Sequence, residues 1–405
     1  MAAKNVLDTL YERGFIGQTV FEEDMRKLLD SESVPFYVGF DPTADSLHIG
    51  HYIPVMAMAH MQRAGHKPIA LIGGGTAMVG DPSGRTDMRQ MMTKETIAHN
   101  VACFQKQLSR FVTFSGDNAA VMVNNADWLL NLNYVDFLRE VGAYFSVNKM
   151  LTSDCFKTRM EKGLSFLEFN YMPMQAYDFL VLYRKYGCKL EIGGNDQWSN
   201  ILAGADLIRR FERTDAYAMT FKLLLTSEGK KMGKTAKGAL WLDGAKTTPY
   251  EFYQYFRNVE DVKVAECLKL LTFMDLQEIE ELTKHVDERI NEAKKRLAFE
   301  VTKLIHGEEA ALTAQEQAQA AFGGAAAQMP TVTVSAPADA AVVDILTAVG
   351  VASSKSEARR LIEGGGVKIG EQKVAAPTDT LTMYTADSTF ILHKGKKVHL
   401  RVERK

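Results

Sequence analysis

The chain is expected to fold as an α/β protein: a parallel-sheet domain, then a small α-helical domain, then a C-terminal α+β module. Three observations lead to that expectation. Short apolar runs alternate with longer helix-like stretches from residue 35 to 240. The strand signal vanishes from Thr248 to about Phe322. A distinct pattern of two short helices, a glycine turn and terminal strands begins near Ala340. At 405 residues the chain also exceeds a typical single domain, so two or three domains are the natural division.

The strands of the first domain are expected at Pro35–Phe40, 69–73, 120–124 and 190–193, each short, apolar and closed by glycine or asparagine. A further strand-like run covers 217–225. Between them lie helix-like stretches at Ile49–Arg63, 94–111 and 175–186. Alternation of this kind implies a parallel sheet covered on both faces, with ligands beyond the carboxyl ends of its strands. Pro249 in a first turn, then runs such as 278–285 and 289–306, give a helical domain over 248–322. Residues 318–337 are rich in Ala, Gly, Gln and Pro, which places a linker at 323–339. The last module, 340–405, carries helices at 342–349 and Lys355–Glu363, the turn Gly364-Gly365-Gly366, and strands ending in 390–404.

Composition excludes several classes. Hydrophobic residues make up 46% and charged residues 24%, as in an ordinary globular protein, and no apolar run reaches bilayer length. Met1-Ala2-Ala3-Lys4-Asn5-Val6 lacks the apolar stretch of a secretory signal. Cys103, Cys155, Cys188 and Cys267 are far apart and form no Cys-x-x-Cys pair, which argues against structural zinc and a disulfide framework and for a cytoplasmic location. The net charge of −2 gives no global nucleic-acid signature. From Ala340 onward, however, 11 basic residues face 7 acidic ones, so that module carries +4. Local basic charge is what phosphate-backbone binding requires, whereas a tail of this kind taken alone reads as a solvated face.

Five motifs carry possible chemistry. Tyr37-Val38-Gly39-Phe40-Asp41-Pro42-Thr43 leads from a strand into His48-Ile49-Gly50-His51 at a helix start, a corner suited to phosphate. His48 and His51 share a helix face, so their N–H groups could meet phosphate oxygens, and Gly50 would let a flat base approach the backbone. The plain alternative is a helix start with incidental histidines. Lys230-Lys231-Met232-Gly233-Lys234-Thr235 is either a phosphate-closing loop or a solvated basic one. It is not a P-loop, because Glu228 stands where that motif needs glycine. Gly73-Gly74-Gly75-Thr76 fails the dinucleotide fingerprint at Met78, which leaves turn glycines followed by Asp81 as a candidate ammonium binder. Tyr171, Gln175 and Asp178 fall on one helix face and would offer a phenol, an amide and a carboxylate, although tyrosines there are equally ordinary half-buried aromatics. In Glu191-Ile192-Gly193-Gly194-Asn195-Asp196-Gln197-Trp198 a strand again enters a helix. Asp196 there is a ribose ligand or simply an N-cap.

Together these residues resemble a class I aminoacyl-tRNA synthetase. His48-Ile49-Gly50-His51 matches the "HIGH" motif, and Lys231-Met232-Gly233-Lys234-Thr235 resembles the "KMSKS" loop with glycine and threonine in place of two serines. The tyrosyl branch is the closer match, through Tyr37-x-Gly39-Phe40-Asp41-Pro42-Thr43, Asp81-Pro82-Ser83-Gly84, Gln175-Ala176-Tyr177-Asp178 and Gly194-Asn195-Asp196-Gln197-Trp198. A related tryptophanyl enzyme is the nearest rival, and Tyr37 with Asp178 speaks against it. The resemblance implies a Rossmann-like catalytic domain over 1–247, an anticodon-binding role for 248–322, and an S4-like RNA-binding domain at the C-terminus.

The resemblance also implies residue roles. Tyr37 and Asp178 would bind the substrate phenol, Asp81, Tyr171 and Gln175 its ammonium, and Gln197 would lie near its carboxylate. Gly39, Asp41, His48, Gly50, Gly194 and Asp196 would line the adenosine site. Thr43, His48, His51, Lys231 and Lys234 would contact the phosphates, with Arg85 and Arg89 as mobile helpers. L-tyrosine, ATP with Mg²⁺ and tRNA(Tyr) follow as substrates, with no resident cofactor or protein-held metal. A homodimer formed near 125–141 is part of the same expectation. Two departures from the family pattern are Glu191, where glutamine is common, and Arg85, where lysine is frequent.

Overall fold

In the computed structural model, residues 5–83, 92–235, 238–323, 331–395 and 398–405 are described. Contacts divide the chain into two compact units, Met1–Gly307 and Glu308–Lys405. The first contains a six-stranded sheet of β1 (Ile16–Val20), β2 (Pro35–Phe40), β3 (Lys67–Ile72), β4 (Val121–Asn124), β5 (Leu190–Gly194) and β6 (Tyr217–Phe221). Their order is β1-β6-β5-β2-β3-β4. All neighbours run parallel except β1, which pairs antiparallel with β6.

The chain leaves β2 toward β3 and β4 on one side, then returns to β5 on the other. The strand order therefore reverses between β2 and β5, and a crevice opens beyond their carboxyl ends. The Asp41, Gly73, Asn125 and Asn195 positions all follow directly on the ends of strands that flank it.

The expected strands at 35–40, 69–73, 120–124 and 190–193 all appear, shifted by two residues at most. β1 adds one antiparallel edge to the expected parallel sheet. Its sequence, Ile-Gly-Gln-Thr-Val, carries two polar residues and a glycine, and its burial falls off after Ile16. An edge strand of that kind has little of the apolar signal that marks a central one.

The Ile49–Arg63 helix is buried over most of its length, Ile49 to Gln62, and packs on β3 and β5. Helix Tyr171–Tyr186 ends at Gly187, whose φ of 65° is the left-handed closure that glycine adopts without strain. Helices Pro249–Arg257, Val264–Leu271, Leu276–Thr283 and Ile290–His306 follow. Thr248 and Glu251 form a reciprocal capping box at the first of them. Arg13 fastens this helical segment to the sheet domain by donating to the carbonyls of Lys269, Thr272 and Met274.

The second unit has helix Glu308–Gly323 and a five-stranded sheet of β9 (Thr331–Val334), β10 (Val367–Ile369), β11 (Gln372–Lys373), β12 (Thr389–Lys394) and β13 (Val398–Arg404), in the order β11-β10-β12-β13-β9. Helices Val342–Ala348 and Lys355–Glu363 close its core through Val342, Ile345, Leu346, Ala358 and Ile362. The Glu308–Gly323 helix groups with this unit although composition places it with the helical domain, and β9 lies inside the expected linker. Thr331-Val332-Thr333-Val334 is a β-branched alternating run, and its Ala/Gly/Pro-rich flanks mask it. Among the described residues no helix is long and apolar enough to cross a membrane.

Candidate active site

His48 is the N-cap of the Ile49–Arg63 helix. Its Nδ1 accepts the Gly50 N–H at 3.0 Å, and the His51 Nδ1 accepts the His48 N–H at 3.2 Å. With both Nδ1 atoms accepting, the proton of each neutral imidazole sits on Nε2. The rings stack at 4.0 Å, so the two donors act as one surface. Gly50 is needed for this cap as well as for access, since a Cβ there would lie 2.8 Å from His48 Cε1.

The basic loop lies against this helix start. Ile49 N–H donates to Leu240 at 3.0 Å, and His48 bridges Trp241. Gly233, with φ of 85°, packs on the Ile49 side chain, donates its N–H to Tyr255 Oη at 2.8 Å and accepts from Leu240 N–H at 2.8 Å. Lys231 Nζ reaches Asp196 Oδ2 at 3.1 Å, so the lysine and the candidate ribose ligand are ion-paired with each other. The Lys234 backbone opens β7 (Lys234–Thr235), which pairs with β8 (Gly238–Ala239). Thr43 is exposed in the turn after Asp41.

Deeper in the crevice, Asp178 is fully buried and accepts from Asn125 Nδ2 at 2.8 Å and Trp128 Nε1 at 2.7 Å. Burial pushes its carboxyl up to about 8, against the pull of those two donors. Gln175 Nε2 donates to Glu191 Oε1 at 2.9 Å. Tyr37, from β2, is buried beside Glu191, and burial drives its phenol well above its usual range. Sequence spacing groups Tyr171 with Gln175 and Asp178, and its hydroxyl also reaches Asp41, at 3.3 Å. Asp41 also accepts from Thr76 Oγ1 at 3.2 Å. Asp81 accepts from Gln197 Nε2 at 2.7 Å and from Ser83 N–H at 2.9 Å.

Gly39 is exposed with open space where a Cβ would project, and a Cβ on Gly194 would lie 2.7 Å from Asp196 Oδ1. Backbone is thus left bare on the crevice wall at both positions. Arg85 and Arg89 lie outside the described residues.

Known proteins carry the same pattern over the whole chain. The family "tRNA synthetases class I (W and Y)" matches residues 30–323, and "Tyrosine--tRNA ligase SYY-like C-terminal domain" matches residues 322–402. A tyrosine--tRNA ligase of Acetivibrio thermocellus is 59% identical over 405 residues, covering 98% of this chain and 99% of that protein. One from Clostridium botulinum is 59% identical over 403 residues, with the same coverage. The chain belongs to the tyrosyl-tRNA synthetase family.

A solved relative agrees. The C-terminally truncated mitochondrial tyrosyl-tRNA synthetase of Aspergillus nidulans superposes with a TM-score of 0.70 at 30% identity, over 78% of this chain and 94% of that one. The present synthetase brings together in one crevice the motifs that lie up to 200 residues apart in its sequence. It also recruits residues the motifs do not announce. Asn125 lies just past the end of β4, where the strand-end rule points, and it links Asp178, Thr76 and the Gly75 N–H. Trp128 follows in a short helix that lacks apolar periodicity, and no local signal marks it. Asn200, buried, ties Gln197 to Ser83.

Proposed function

We propose that this synthetase activates L-tyrosine with ATP, giving tyrosyl-adenylate and pyrophosphate, and passes the tyrosyl group to the 3′-terminal ribose of tRNA(Tyr). The observation that carries the reading is the buried pair Tyr37 and Asp178, with Asp178 held by Asn125 and Trp128. A phenol hydroxyl placed between them gains a donor and an acceptor. Phenylalanine would bring an apolar edge against both groups and offer neither of them the partner that the phenol hydroxyl supplies.

Asp81, Tyr171 and Gln175 take the ammonium in this reading, and Gln197 borders the carboxylate. Gly39, Asp41, His48, Gly50, Gly194 and Asp196 take adenosine. The tyrosine carboxylate, ionised at neutral pH, attacks the α-phosphorus without a general base. His48 and His51 present Nε2 donors to the phosphates, joined by Thr43, Lys231 and Lys234, with Arg85 and Arg89 as helpers. Their contribution is positioning and charge stabilisation. Among the described residues no three His, Cys, Asp or Glu side chains converge in a metal-binding group, and Mg²⁺ would arrive on the ATP phosphates as part of the substrate.

Residues 248–322 serve as the anticodon-binding segment in this reading, and the basic module 340–405 binds tRNA backbone. Leu130, Tyr134, Val135 and Leu138 are exposed apolar side chains in the 125–141 region, which supports a homodimer there, working in the cytoplasm. Sedimentation of the purified protein tests the dimer. Exchange of labelled pyrophosphate into ATP tests the reaction: it should depend on tyrosine, and dependence on tryptophan or no exchange at all would overturn the assignment.

A further inference from the structure

Two oxygens shut off from water, one on Tyr37 and one on Glu191, lie within hydrogen-bonding reach of each other at the phenol end of the crevice. Tyr37 and Glu191 are register partners on the adjacent parallel strands β2 and β5, so their side chains leave the sheet on the same face. Neither Tyr37 Oη nor Glu191 Oε2 makes a hydrogen bond of good geometry. The second carboxyl oxygen, Oε1, is satisfied by Gln175 Nε2 at 2.9 Å.

Oε2 faces a dry wall. A Cβ on Gly204 would stand 3.1 Å from Oε2 and 3.0 Å from Phe179 Cδ1, and the Phe179 ring lies 5.3 Å from that of Tyr37. Among the described residues, the titratable and charged groups that bear on Glu191 are Tyr37 on β2, Asp178 on the Tyr171–Tyr186 helix, and Cys188 just before β5. None of them is a cation. A carboxylate oxygen in such a place is costly unless it is protonated or receives a donor.

We propose that Glu191 is a positioning residue that works as a neutral carboxylic acid, accepting from Gln175 through Oε1 and donating from Oε2 to Tyr37 Oη, so that the Tyr37 proton points at the ligand. The inference rests on the reading of this pocket as a tyrosine site. Donation then runs one way: Gln175 to Glu191, Glu191 to Tyr37, Tyr37 to the ligand phenol oxygen, and the ligand hydroxyl to Asp178. Ionised Glu191 would instead accept the Tyr37 proton, and the ligand phenol would meet two acceptors and no donor.

Burial pushes Asp178 up to about 8 and Glu191 up to about 7, so burial alone favours a proton on Asp178, and the two carboxyls titrate as one coupled pair. The surrounding donors decide where the proton sits. Asp178 has an N–H on each oxygen, whereas Glu191 has one on Oε1 only.

The test is tyrosine binding to the full-length protein by calorimetry between pH 6.5 and 8.5, with KM and kcat from pyrophosphate exchange over the same range. The Kd and KM for tyrosine should rise about tenfold across the range while kcat changes little, as expected when one essential proton is lost. Glu191→Gln, whose amide donates at every pH, should show a flat profile. Tyr37→Phe should bind more weakly and also without pH dependence, because the link through Tyr37 is gone. A flat wild-type profile, a rise that Glu191→Gln retains, or a rise that Tyr37→Phe retains overturns the proposal and leaves the tyrosine site standing. Absence of tyrosine binding at every pH overturns both.

Discussion

Replacing Gly233 by serine would bring the basic loop closer to the pattern of its family, yet the structure forecasts damage. Gly233 holds φ at 85°, and a Cβ built on it would stand 1.9 Å from Ile49 Cγ2. Ile49 is buried at the base of the His48-capped helix and cannot swing away. A left-handed conformation costs a residue with a Cβ roughly 1–2 kcal/mol, and overpacking a filled site adds about 1–3 kcal/mol. A midpoint of about 3.5 kcal/mol falls on the docked loop, because the neighbouring Glu228, Gly229 and Lys230 are exposed and can carry it away. If the docked arrangement is the one that handles phosphate, kcat/KM for ATP in pyrophosphate exchange should fall on the order of a hundredfold. The thermal midpoint should move by only a few degrees. A Gly233→Ser protein within twofold of the parent in that assay refutes the argument. Tyr255→Phe, which removes only the acceptor of the Gly233 N–H, should give a smaller loss in the same direction.

Three other outcomes follow from the packing and charge. His60 is buried between Phe15 and Phe273 near Arg13 and Arg63, and burial lowers its pKa to about 3. The unfolded chain therefore binds a proton below about 6.5 that the folded one refuses, and stability falls by up to about 1.4 kcal/mol per pH unit between roughly 6.5 and 3. His60→Phe should flatten the acid side of a plot of thermal midpoint against pH, and an unchanged slope would rule His60 out. Arg159 and Glu168 form a buried pair at 2.8 Å leading into the Tyr171–Tyr186 helix. Arg159→Met should cost about 3–5 kcal/mol by chemical denaturation and the double Met variant much less, so equal losses would contradict the pairing. In the second unit, Arg359→Ala with Arg360→Ala should weaken tRNA binding and lower its salt dependence by roughly one per residue, while tyrosine-dependent exchange stays intact. An unchanged salt slope would place the RNA contact elsewhere.

Much of the catalytic sheet was legible because its central strands are buried on both faces and read as unbroken apolar runs. β2 and the Ile49–Arg63 helix appear with the expected bounds. What was lost lies where burial is partial or where chemistry comes from far along the chain. β1 and β9 are edge strands of the two sheets, and edges carry weak patterns. Trp128 and Asn125 support Asp178 from about 50 residues away, a relation that no local spacing encodes. Tyr171 shows the limit of helix-face reasoning. Spacing groups it with Gln175 and Asp178, and its hydroxyl also reaches Asp41 beyond the end of β2, a contact that no helix spacing announces. Glu191 shows a different limit: its identity is plain in the sequence, while the proton it carries depends on walls contributed by β2 and two helices.

The ion pair between Lys231 and Asp196 bears on how tightly this enzyme should hold ATP before reaction. The ammonium and the carboxylate pair with one another at 3.1 Å. On the roles proposed for Asp196 and Lys231, a nucleotide that takes the carboxylate with its ribose and the ammonium with its phosphates swaps partners and gains little. As pyrophosphate departs, negative charge concentrates on the leaving oxygens, and the lysine's attraction grows with nothing further to give up. An arrangement of this kind weakens the complex with intact ATP while leaving the transition state its full share of the lysine, and that difference raises turnover instead of affinity.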